Sequence, residues 1–204
     1  MRVEIRNNEV IIEGYVNAVA RDSRPIPSQR GRFIEQIVPR TFERALQNAE
    51  NVDILLNHHK DRHLGSTKEG TLELFEDSIG LRAFATITDP EVIEKAKKNQ
   101  LRGWSFGFLA KKDRWEDSVD GNLSRRYVEE LELREVSIID NTKLPAYTAT
   151  SIETREDSEF LTEIRSIDLE IRVVDNSTEE EKVKFDNSDY MKRLEKLKNK
   201  YYFR

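Results

Sequence analysis

Apolar side chains recur at every second position along several stretches of this chain, the period of a strand with one face turned into a core. The clearest stretch is Gly103-Trp-Ser-Phe-Gly-Phe-Leu-Ala110. It puts Trp104, Phe106, Phe108 and Ala110 on one face and Ser105, Gly107 and Leu109 on the other. A strand over 103–116 and another over 125–139 are predicted, joined by a polar loop containing Asp120-Gly121. In the second, Tyr127, Leu131, Leu133, Glu135 and Ser137 share a face. Glu9 to Ala20 reads as a long strand with a bulge at Gly14. Thr71–Glu76 and Gly80–Thr88 read as a hairpin around Glu76-Asp-Ser-Ile-Gly80. Val52 to Leu56 reads as a strand that runs straight into the histidines.

Two helices interrupt the strands. One starts near Pro39, with Thr41 as its expected N-cap. The other is announced by Asp89-Pro90, an N-cap followed by a proline at the first helical position, and is expected to run to Gln100. Arg21 to Gly31, with two prolines, two serines and three arginines, reads as an exposed loop. Many strands and two helices predict a mainly β or α+β fold, an antiparallel β-barrel-like core.

Composition changes the picture near residue 154. Of the last 50 residues 24 are charged, 13 acidic and 11 basic, and glycine and proline disappear. We therefore expect a core domain over 1–154 and a charged, partly disordered tail over 155–204. Within the tail, Tyr190, Leu194, Leu197 and Tyr201 form one stripe of an amphipathic helix over about 188–201. Six basic residues and one acidic residue lie between Lys192 and Arg204, which suits docking on an acidic partner surface. A solvated terminal helix is the plainer reading.

Charge and residue usage exclude some chemistry. The chain has 34 Lys+Arg against 39 Asp+Glu, a net charge of −5 that disfavours general nucleic-acid binding. No apolar run approaches the roughly 20 residues that span a bilayer, and the first residues lack the apolar region of a signal peptide. Without cysteine there is no disulfide, no thiolate nucleophile and no cysteine-based zinc site. These features fit the cytoplasm.

What remains for catalysis is a serine and a cluster of histidines. Ser105 stands beside Gly107 on the face away from the aromatics, open to a reacting group. A small residue that lets two strands approach would look the same. Gly103-Trp-Ser-Phe-Gly107 satisfies the string Gly-x-Ser-x-Gly, but here a helix precedes the serine and a strand follows it. The nucleophile elbow needs the reverse, so an α/β-hydrolase is excluded. The only histidines, His58, His59 and His63, fall within six residues. His58 continues the Val52-Ile54-Leu56 face, where an imidazole can reach a cleft or simply pack. His59 and His63 have the i,i+4 spacing of metal ligands, which converges only on a helix. Glu135 falls at the end of an apolar row, where a carboxylate needs a partner such as an imidazole N–H. Asp140, just beyond, is a competing acid.

Taken in order, Asn57-His58, Leu64-Gly-Ser-Thr, Gly70-Thr-Leu-Glu-Leu, Asp77-Ser-Ile-Gly-Leu, Trp104-Ser-Phe-Gly-Phe and Leu133-Arg-Glu-Val-Ser-Ile-Ile, ending near Pro145-Ala-Tyr, are more specific than any one alone. Together they make residues from about Gly14 to Ser151 resemble the prohead (procapsid maturation) proteases of tailed bacteriophages. That family is distantly related in fold to the herpesvirus assembly protease. His59 stands where many relatives are expected to carry an aspartate. The resemblance implies a serine endopeptidase with Ser105 as nucleophile, His58 as base and Glu135 as orienting acid, needing no metal or organic cofactor. It implies that the enzyme acts in the host cytoplasm inside the procapsid, cutting scaffold or the scaffold-like arm of the capsid protein precursor, and itself. Self-association is a further implied feature; membranes and nucleic acid are not implied partners. The rival reading is a catalytically silent β-barrel that serves as an assembly chaperone or minor shell protein. A metal-dependent hydrolase is a third.

Overall fold

The strand pattern is realised as two sheets, not as a barrel. A computed structural model describes residues 1–28, 31–117, 123–142, 152–153, 162–166 and 170–177. The expected turn at Asp120-Gly121, the Pro145 segment and the helix expected at 188–201 lie outside the described residues. The chain begins with β1 (Arg2–Ile5), β2 (Val10–Ala18), β3 (Ile26–Ser28), β4 (Gly31–Ile37) and α1 (Thr41–Asn48). It continues with β5 (Asp53–Leu56), β6 (His59–Ser66), β7 (Leu72–Glu76), β8 (Gly80–Ile87) and α2 (Pro90–Lys97). The two long strands β9 (Leu101–Glu116) and β10 (Ser124–Asp140) follow, then β11 (Ile152–Glu153), β12 (Thr162–Ser166) and β13 (Arg172–Asp175). Among the described residues no helix is long and apolar enough to cross a membrane.

One sheet has the order β13-β1-β2-β8-β7. The other runs β11-β12-β9-β10-β4-β3, with β5 also on β10 and β6 on β5. The expected antiparallel barrel is corrected on two counts. Among the described residues no ladder joins the two sheets, and three pairs, β10 with β4, β10 with β5 and β1 with β13, are parallel. The sheets stay open: β11 and β3 end one and β13 and β7 the other, and among the described residues none of these four pairs with another of them. One edge of β10 holds β9 while the other takes β4 and then β5, and the far edge of β9 is occupied by β12. Strands β12 and β13 come from the charged C-terminal region yet pair with core strands.

The alternation expected in β9 holds: Trp104, Phe106 and Phe108 are wholly buried in the main core. Phe42 of α1 meets Phe106 edge-on at 5.4 Å. Burying an aromatic side chain of this size stabilises by about 1.5–3 kcal/mol, so these rings anchor the strand that carries Ser105. In β10 the simple alternation fails. Its core residues Val128, Leu131, Leu133, Val136 and Ile138 are spaced alternately by three and two. Each step of three coincides with a register shift, at Val128/Glu130/Leu131 and at Leu133/Glu135. A bulge inserts one residue and reverses the faces beyond it. Glu135 and Ser137 are thereby removed from the Leu131–Leu133 row and placed with Ser105 and Gly107.

Smaller expectations change too. The β2 irregularity lies between Tyr15 and Asn17, while Gly14 pairs regularly with Ala83. Part of the expected Arg21–Gly31 loop is β3, which pairs with β4. Thr41 does not cap α1; it is the first helical residue and its hydroxyl donates to the Glu129 carbonyl at 3.0 Å. Glu76, from β7, accepts instead from the amides of Arg40 and Glu43 at 2.5 and 2.9 Å. Asp89 does cap α2, accepting from Val92 N at 3.0 Å, and that helix ends at Lys97.

Candidate active site

The β9–β10 ladder sets the geometry. Ser105 pairs with Ser137 and Gly107 with Glu135, so four positions on two strands form one patch. Gly107 is needed there: a Cβ at that position would lie 2.6 Å from Glu135 Oε1. The space beside Ser105 is thus filled by a carboxylate, not left open.

His58 is supplied by a turn rather than by a strand face. Leu56 pairs with His59, which leaves Asn57 and His58 as the two turn residues between β5 and β6. Both have positive φ, 55° and 64°. Two-residue hairpin turns of the I′ kind require this, and asparagine tolerates it well. A histidine there is held at a cost and persists because the surroundings fix it. Three bonds to β10 and its end do so. Asn57 N donates to the Ile138 carbonyl at 2.9 Å, His58 N donates to Ser137 Oγ at 3.1 Å, and Asp140 N donates to Asn57 Oδ1 at 3.1 Å.

The imidazole lies between a carboxylate and a hydroxyl. His58 Nδ1 is 2.7 Å from Glu135 Oε1, and His58 Nε2 is 2.8 Å from Ser105 Oγ. Glu135 Oε2 accepts from Ser137 Oγ at 2.5 Å. Ser105 is wholly buried, and the His58 and Glu135 side chains are 10% and 13% exposed. Ser105 Oγ also lies 2.8 Å from the carbonyl oxygen of Arg165 in β12. This arrangement can pass a proton from the hydroxyl to Nε2 while the carboxylate holds Nδ1–H, which is the requirement for activating a serine.

The other candidates are placed elsewhere. Asp140 is 1% exposed and binds Lys95 Nζ at 2.7 Å, Thr142 Oγ1 at 2.5 Å and Thr142 N at 2.8 Å. Burial pushes its carboxyl up, but the Lys95 ammonium and the Thr142 donors outweigh this and hold it at about 2. His59 and His63 lie in β6, not on a helix, and His63 Nε2 is 3.4 Å from Asp53 Oδ1 in a partly exposed pair. Among the described residues no group of three or more histidines and acids is arranged to hold a metal ion.

Sequence reasoning assigned no role to Ser137 or to Asn57. The position of Ser137, two residues after Glu135, was the available signal, since strand period puts the two side chains together. Nothing in the sequence marks Asn57 beyond its place before His58.

The family model for the caudovirus prohead serine proteases matches residues 1–163. No curated protein and no solved structure matches the chain.

Proposed function

Because the chain belongs to the caudovirus prohead serine proteases, we propose that it is an active serine endopeptidase of phage head maturation in which Ser105, His58 and Glu135 do the chemistry. Membership implies action on procapsid proteins inside the procapsid in the host cell. The observation that carries the catalytic assignment is the unbroken line from Ser105 Oγ through both imidazole nitrogens to Glu135, with links of 2.8 and 2.7 Å.

The neutral imidazole has one donor and one acceptor nitrogen. Glu135 accepts from Nδ1–H and so presents Nε2 as the acceptor toward Ser105. As Oγ attacks a peptide carbonyl carbon, Nε2 takes its proton, and Glu135 stabilises the imidazolium that forms. The proton then passes to the departing amine, and water repeats the sequence on the acyl-serine ester. Ser137 positions both partners, donating to Glu135 and accepting from the His58 amide. The substrates are the scaffold or the scaffold-like arm of the capsid protein precursor, together with the protease itself, and the fold needs no metal or organic cofactor for these steps.

A serine-directed fluorophosphonate, added while the chain digests its capsid precursor, tests the assignment. The expected result is inhibition with one adduct mapped to Ser105, absent in His58→Ala. An adduct on another serine, or digestion that continues unimpeded, would overturn the assignment, and a chain that digests nothing would favour a silent assembly protein.

A further inference from the structure

Strand β12 lies against the strand that carries Ser105. It adds antiparallel to the edge of β9, pairing Glu163 with Phe108, Ile164 with Gly107, Arg165 with Phe106 and Ser166 with Ser105. Strand addition to an exposed edge is a general mode of peptide recognition, in which side chains drop alternately into pockets. The Arg165 carbonyl oxygen lies 2.8 Å from Ser105 Oγ, so the backbone of this segment meets the nucleophile at that residue.

The side chains that accompany it are specifically received. Arg165 is 7% exposed, and its Nε and Nη2 donate to the two oxygens of Glu35 at 2.6 and 2.8 Å, a bidentate pair. Its guanidinium also lies over the Phe108 ring, 5.1 Å from the centroid. Glu35 belongs to the inward row Phe33-Glu35-Ile37 of β4, where an apolar residue would satisfy the fold. Its other partner is Arg126 Nη1 at 3.1 Å, directly across the β4–β10 ladder. Arg126 in turn donates to Glu163 from Nη1 at 2.5 Å and from Nη2 at 2.8 Å, and to Asp113 at 2.6 Å. Without β12, buried Glu35 would keep one cationic partner, Arg126, whose Nε is already taken by the more exposed Asp113. A buried carboxylate short of a cation is costly, so the vacated pocket calls for a basic side chain.

We propose that residues 163–165 are an internal substrate held in the cleft, that the protease cuts its own chain between Arg165 and Ser166, and that Glu35 and Arg126 select arginine before the cut and an acid two residues earlier. This rests on the reading of Ser105 as the nucleophile. In the reaction Oγ bonds to the Arg165 carbonyl carbon and gives its proton to His58 Nε2. The bond from that carbon to Ser166 N breaks, and the nitrogen takes the proton. Water then hydrolyses the ester, leaving a carboxylate on Arg165, free Ser105 and a new amino terminus at Ser166.

The test follows the purified full chain, alone and with its capsid precursor, by intact mass and N-terminal sequencing. Fragments 1–165 and 166–204 are expected from wild type and not from Ser105→Ala. Arg165→Gln and Glu35→Gln should each slow that cut on the order of a hundredfold, the scale of a lost charge-assisted pair, with Arg165→Lys less affected. Since Glu35→Gln alters β4 itself, the substrate-side variants carry the result if that variant does not fold: Arg165→Gln, and Glu163→Gln, which keeps the Arg165–Glu35 pair and should also slow the cut. Wild type that digests the precursor while leaving the 165–166 bond whole, or that cuts Arg165→Gln as fast as arginine, overturns this inference and leaves the proposed function standing. Wild type that cuts nothing overturns both.

Discussion

Two acids near the end of one strand, Glu135 and Asp140, meet different fates. Asp140 is given a lysine, a threonine hydroxyl and an amide, and its charge is fixed. Glu135 is given an imidazole and a serine hydroxyl, partners that can change their protonation or their hydrogen bond. A carboxylate held by a permanent cation serves as an anchor, since nothing near neutral pH alters the pair. A carboxylate that faces an imidazole has a partner that can take up a proton from the serine and give it back, which is what proton transfer requires. The contrast also explains their arrangement in space. Asp140 secures the end of the strand and, through its own amide, the Asn57 side chain, so the anchor helps to hold the turn that presents His58.

The largest expected effects set the two acids apart by activity. Ser105→Ala should abolish cleavage of the capsid precursor, and Glu135→Gln should lower kcat on the order of 10⁴-fold, because an amide in place of the carboxylate favours the wrong imidazole tautomer and leaves the imidazolium without its counter-charge. Asp140→Asn should leave kcat per folded molecule within a few-fold of wild type. A loss in Asp140→Asn as deep as in Glu135→Gln would break the distinction.

Stability should show the reverse ranking. Asp140→Asn leaves the Lys95 ammonium without its buried partner, and breaking such a pair costs about 3 kcal/mol, read as a lower urea midpoint. Glu135→Gln should cost less than this.

Gly107→Ala sharpens the geometric side. The added methyl would stand 2.6 Å from Glu135 Oε1 and must displace it. A fall in kcat on the order of 10², with KM nearly unchanged, is expected for a misplaced catalytic group. Unaltered kinetics would show that the carboxylate need not sit where it does.

The smallest effect concerns acid. The folded-state carboxyl of Asp140, at about 2, lies below its ordinary value of 3.8, so the unfolded chain binds more protons in between. The resulting stability is complete above about pH 4 and is lost as the pH falls through about 2. Its size is about 2 kcal/mol. Urea titrations at pH 5 and pH 2 should show this loss in wild type and a smaller one in Asp140→Asn.

Much of this was legible in the chain and some was not. The aromatic alternation around Ser105 identified its strand and its two faces, because a period of two with bulky residues has few other solutions. Asp89-Pro90 identified the start of α2 for an equally local reason. The face of Glu135 was misread because a bulge leaves no residue signature beyond an apolar spacing of three, at Leu133 to Val136. His58 was expected on a strand face, since nothing in Asn57-His58 alone distinguishes a strand end from a left-handed turn. The barrel failed because strand pairing is a long-range choice: that β10 takes β4 and β5 in parallel, and β9 takes β12, cannot be read from local patterning.

The central claim is that Ser105 is the nucleophile of a line completed by His58 and Glu135. Its most direct test is the intact mass over time of the capsid precursor incubated with wild-type chain and, separately, with Ser105→Ala. The account predicts defined shorter products with wild type and an unchanged precursor with the variant. Equal processing by the two proteins would contradict it.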